Sequence, residues 1–209
     1  MQARILPLLL SIVLVTPYST AGAQEVPPRN CEHDRVRLLA LDENQFDQDL
    51  NGGWRTLASR PGCTLAAADL LRDYRQAHRN DAGLMIWHEA QLRANAGQYP
   101  EAITLMKQAY KPAEKDLAGW NLYVDATIAF LRRDMAALKK ARAKLAEVKA
   151  PVAEGMPPVI DGYVELDFAD GAKRKIRWPP NIDVVEGLEN CFDKPYAKAY
   201  ELACRQSTP

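Results

Sequence analysis

The sequence predicts a mostly α protein: two or three antiparallel helical hairpins, then a small C-terminal β-hairpin with short helices appended. Three observations predict it. Between residues 64 and 149, apolar residues recur at helical spacing and are punctuated by Gly and Pro. Between 164 and 178 the period drops to two, the mark of strands. Four cysteines (Cys31, Cys63, Cys191 and Cys204) flank the helical stretch on both sides.

Residues 1–23 read as a signal peptide and not as part of the fold. Arg4 gives a positive start, Ile5 to Val15 an apolar run, and Ala21-Gly22-Ala23 the small residues of a cleavage site. The run is too short to span a bilayer, which takes about 20 apolar residues, and Pro17 interrupts it. The expectation is therefore an exported chain, periplasmic in a Gram-negative source, with no membrane span after cleavage. The whole sequence has 27 Lys+Arg against 27 Asp+Glu, and the prefix holds only Arg4. A near-neutral mature chain gives no support to a nucleic-acid partner, which calls for a clustered basic surface.

In an exporting compartment an even cysteine count predicts two disulfides. Three pairings are possible, and neighbour pairing, Cys31–Cys63 and Cys191–Cys204, is the simplest. The second bond carries a geometric condition. One helix from 191 to 204 would hold its ends about 20 Å apart, whereas a disulfide needs Cα atoms within about 7 Å. The chain must then double back near Asp193-Lys194-Pro195, or Cys204 pairs elsewhere.

The elements follow in order. Residues 24–63 form an N-terminal helical segment with one helix over about 33–46, ended by Asn51-Gly52-Gly53. The helical domain covers 64–150. Thr64 begins a helix whose Ala67, Leu70, Leu71 and Tyr74 share a face. A second helix spans about 84–96, and Gly97-Gln98-Tyr99-Pro100 turns into a third that reaches about Tyr110. The helix over about 115–132 is apolar nearly all round, so it is expected to be the most buried. The helix over about 135–149 is amphipathic, with Leu138, Ala141 and Leu145 on one stripe and lysines on the other. Residues 151–209 hold a proline-rich linker, the β-hairpin and the last helices. Matching the apolar faces of the hairpin sets Val164 opposite Ile176 and Glu165 opposite Lys175. A loop of three residues with Gly171 left-handed, or one of five, gives that register.

The two central helix pairs are alike. Trp87 to Leu92 aligns with Tyr123 to Ile128 at a shift of 36 residues, within the range of two-helix repeats. The pattern Ala90, Gly97-Gln98-Tyr99, Ala102 and Ala109 resembles the tetratricopeptide-repeat family over about residues 84–149. Glu89 and Arg93 depart from it, standing where the family has large apolar residues, and Arg133 replaces the second turn glycine.

The resemblance implies a protein- or peptide-binding scaffold with no chemistry and no cofactor. Its partners would lie on the concave face of the first helix of each unit. Trp87, Glu89, Tyr123 and Asp125 would recur on that face, with the acids selecting basic partner groups. The alternative is a calcium-assisted structural module. Asp47, Asp49 and Asn51, followed by Gly52, fit the first half of an EF-hand loop, but Ala58 stands where its bidentate acid belongs. A hydrolase is the third reading. His33, His78 and His88 are the only histidines, and no nucleophile elbow, zinc-binding helix or phosphate loop accompanies them.

Overall fold

The computed structural model describes residues 30–79, 83–151, 157–167 and 171–205. The expected signal peptide lies outside the described residues. Among them no helix is long and apolar enough to cross a membrane.

The N-terminal segment is tied back on itself by the disulfide Cys31–Cys63, with Cα atoms 5.5 Å apart. The single helix expected over 33–46 is two pieces. Helix α1 (Arg35–Leu39) is capped by Asp34, whose carboxylate accepts the Arg37 N–H. After a bend, a π-turn covers Asn44–Gln48. The break comes from Asp42, whose carboxylate accepts the Gln45 N–H and restarts the chain in a new direction. A short α2 (Arg55–Ala58) follows. The turn before it requires Gly53, whose φ is 53° and whose missing Cβ would lie 1.8 Å from the Phe46 carbonyl oxygen.

Helix α3 (Thr64–His78) packs its Leu70, Leu71 and Tyr74 face on this segment. Phe46 stacks on Tyr74 with ring centroids 3.7 Å apart, and Leu38, Trp54, Leu57 and Met85 complete that core. Two helical hairpins come next: α4 (Gly83–Asn95) with α5 (Tyr99–Met106), and α6 (Trp120–Leu131) with α7 (Met135–Ala146). Helix α6 is mostly buried, as its composition predicts, yet it begins five residues late. Asp116 is the reason, because its two carboxylate oxygens accept the N–H groups of Trp120 and Asn121.

Strands β1 (Tyr163–Asp167) and β2 (Lys173–Arg177) pair antiparallel in the expected register, Val164 with Ile176 and Glu165 with Lys175. Gly171 has φ 76°, and residues 168–170 of the loop lie outside the described set. Helix α8 (Ile182–Asn190) then packs across α6 and α7, followed by α9 (Tyr196–Ala199) and α10 (Leu202–Arg205). The chain does double back after Cys191, so Cys191–Cys204 closes with Cα atoms 5.9 Å apart. Glu186 of α8 accepts from both Arg142 of α7 and Arg177 of β2, anchoring the strand pair to the helices. The second, larger core joins α4 to α9 through Ala90, Met106, Tyr123, Phe130, Leu138, Leu145, Val185 and Tyr196.

Candidate functional site

Of the four residues expected on a concave binding face, three are interior. Trp87 and Tyr123 pack ring against ring at 4.9 Å, with Trp120 closing the cluster, and both are buried. Large aromatics on two packed hairpins meet each other because that removes much apolar area from water. Glu89 is 2% exposed and holds Arg75 of α3 at 2.5 Å and Arg93, one turn on, at 2.8 Å. Arg93 also reaches Asp69 of α3 at 3.1 Å. The polar residues that break the tetratricopeptide pattern are thus ion-paired glue between α3 and α4. Burial takes Trp87, Glu89 and Tyr123 off any partner surface, and only Asp125 stays exposed.

The segment expected to hold a cation is also committed internally. Asp47 is 1% exposed. Its Oδ1 accepts the Trp54 indole N–H at 2.8 Å and lies 2.7 Å from His88 Nδ1, while Gln48 donates to its Oδ2. Asp49 accepts the Asn51 N–H at 2.9 Å, and the Arg55 guanidinium donates to the Asp47 carbonyl. An inward carboxylate cannot join Asp49 and Asn51 around one ion. Burial alone would raise the Asp47 pKa. The His88 hydrogen bond and charge, with help from Trp54 and Arg55, outweigh that and hold it below the usual carboxylate value. Among the described residues no three His, Cys, Asp or Glu side chains are grouped as a metal site. The other histidines satisfy backbone carbonyls, His33 at Cys31 and His78 at Leu39.

The surface around Asp125 is different in kind. On α6, Leu122, Asp125, Ala129 and Arg132 fall on one stripe; on α7, Ala137, Lys140, Ala141 and Lys144 form another. These stripes, with Lys107 and Tyr110, line a groove of about 350 Å³. Its floor is apolar and its rim basic.

Local chemistry fixes the wall. Asn121 clamps the backbone of Lys111 from both sides, accepting its N–H and donating to its carbonyl, each at 2.8 Å. The Trp120 indole donates to the Ala109 carbonyl at 2.8 Å. Residues 109–111 are thereby pinned over the start of α6, and Tyr110 projects beside Asp125. Its hydroxyl donates to Oδ1 at 2.5 Å. Partial burial and the Asp125 carboxylate together push the Tyr110 pKa up, so the phenol stays a donor. A second hollow of about 380 Å³, lined by Leu84, Pro112 and Trp120 among others, meets the groove at Tyr110.

The α6–α7 turn is held without a glycine. Arg133 adopts φ 59°, and its guanidinium donates to the Phe192 and Lys194 carbonyls while lying over Phe130 and Phe192. Asp134, next along, caps α7 by accepting the Ala137 N–H at 2.9 Å.

Comparison with known proteins gives no match: no family model, no curated protein and no solved structure is significantly similar to the chain.

Proposed function

We propose that the chain is an exported binding module that holds a segment of a partner protein in the α6–α7 groove, without chemistry of its own. The observation that carries this reading is the groove itself. Leu122 and Ala137, both half-buried, lie over the buried Ala129 and Ala141 and give an apolar floor between two side-chain stripes, the form in which helical surfaces take up peptide segments. Adjacent exposed apolar side chains, Tyr110 at 40% and Leu84 at 44%, extend it into the second hollow. Two disulfides at the two ends of the fold suit an oxidising compartment outside the cytoplasm. The likeness of residues 84–149 to tetratricopeptide hairpins is a further, general reason for a binding role.

A photocrosslinking residue placed at Leu122, with a control at the 80% exposed Val36, tests this in the native compartment. One partner reproducibly joined at Leu122 and not at Val36 is the expected result. No adduct, or equal labelling at both positions, would count against a binding groove.

A further inference from the structure

The charge of the groove assigns the chemistry of its occupant, and this deepens the binding role just proposed and rests on it. Lys107, Arg132, Lys140 and Lys144 stand around the groove. Among the described residues none of the four makes an ion pair, whereas Arg142, on the same helix as Lys140 and Lys144, pairs with Glu186 and Glu189. The two acids of the groove each accept one hydrogen bond from a neutral donor. Asp125 accepts the Tyr110 hydroxyl, and Asp134 accepts the Ala137 N–H. Four cations thus outnumber two carboxylates around the groove, in a chain whose formal net charge is zero. Cations clustered in one recess raise the local concentration of anions and orient them.

We infer that the groove takes an acidic amphipathic peptide segment of a partner protein, helical when bound, with its apolar stripe on Leu122 and Ala137 and its carboxylates at Lys140, Lys144 and Arg132. Length and shape favour a helix. The α6 stripe from Leu122 to Arg132 runs about 15 Å, which matches roughly three turns. A helix seated between two others needs small residues at the contact so that axes approach to about 8–10 Å. Ala129, Ala137 and Ala141 supply them. The recess between helices distinguishes this occupant from a membrane, which needs a flat or convex basic face.

Three labelled peptides of about twelve residues, sharing one leucine stripe at helical spacing and flanked by Glu, Gln or Lys, are titrated into the oxidised full chain by fluorescence anisotropy. The Glu peptide is expected to bind tightest, and more weakly as salt is raised. Lys140→Glu/Lys144→Glu should weaken it about tenfold, while the same charge reversal away from the groove, Lys139→Glu/Lys198→Glu, leaves most of the affinity. Leu122→Asp reports whether binding is in the groove at all.

If the Gln or Lys peptide binds at least as well as the Glu peptide and Leu122→Asp abolishes it, the acidic assignment falls and the groove reading stands. If no peptide responds to Leu122→Asp, both fall. Binding of phosphatidylglycerol-containing vesicles or of single-stranded RNA, lost in Lys140→Glu/Lys144→Glu while the Glu peptide stays unbound, overturns the inference in favour of a general polyanion surface.

Discussion

The seam between α3 and α4 and the seam between α6 and α7 join helices of similar length, but only the first carries buried ion pairs. The first adds charges to a shared apolar core that includes Leu70, Leu71, Met85 and Leu92: Arg75, Glu89, Arg93 and Asp69 form one connected set, with Glu89 and Arg93 nearly out of water. Across the second run apolar side chains, Val124, Ile128 and Leu131 against Leu138, Ala141 and Leu145. The apolar seam is stabilised by area removed from water and is indifferent to small slips. The charged seam costs desolvation, and repays it only in one register where every partner is present. The lesson is where the chain keeps its charges. Those of α3–α4 hold the fold, whereas among the described residues Lys107, Arg132, Lys140 and Lys144 beside α6–α7 make no ion pair.

The largest effect should come from breaking the charged seam. Glu89→Ala strands Arg75 and Arg93 against buried surface and is expected to cost about 3–5 kcal/mol, read by urea unfolding. Replacing both members, Glu89→Met with Arg93→Leu, should recover much of that loss, because Arg75 and Asp69 can turn to solvent. A double variant as unstable as Glu89→Ala would mean the seam needs its charges for more than pairing. On the apolar side, Leu138→Ala should cost about 2–5 kcal/mol through the cavity it leaves, with no rescue by a charged partner.

Reduction comes next. Each disulfide is worth about 2–4 kcal/mol, and the chain-entropy model makes the longer loop stronger. Cys31–Cys63 closes 32 residues and Cys191–Cys204 only 13. Removing the first should cost more stability, by about 0.8 kcal/mol on that model, read by urea unfolding; the reverse order would point to residual structure in the unfolded chain.

The pH dependence tests the dock of the N-terminal segment on α4. Because Asp47 titrates lower in the folded state than in the unfolded chain, its stabilisation is complete above the unfolded value, about 3.9. It is lost as pH falls through the lower, folded value. Asp47→Asn should therefore destabilise at neutral pH and flatten the acid limb of a stability–pH curve. The smallest effect belongs to the groove: Tyr110→Phe removes one hydrogen bond to an exposed carboxylate and should cost roughly 0.5–1 kcal/mol.

Much of the fold was legible in the sequence, because it follows from local rules. Gly97 and Pro100 mark the α4–α5 turn, the period-two stretch sets the strand register, and the apolar run over 120–131 identifies the buried helix. The Glu89–Arg93 pair, four residues apart on one helix, could also have been read as an internal bond. The binding face could not. The shift of 36 residues aligns Trp87 with Tyr123, but an alignment does not say whether a residue faces in or out. Asp47 finds its partner in His88, 41 positions away, which no local pattern encodes. The groove exists because Asn121 and Trp120 pin residues 109–111 over α6, a tertiary event. Lys140 and Lys144 alone look like any solvated helix face.

Backbone hydrogen exchange of the oxidised full chain, with and without saturating acidic amphipathic peptide, compares the two seams directly. Slower exchange confined to α6, α7 and the segment 107–112, with α3 and α4 unchanged, is the predicted result. Slowing along α3 and α4 instead, or no slowing anywhere, would contradict a binding face on the second hairpin.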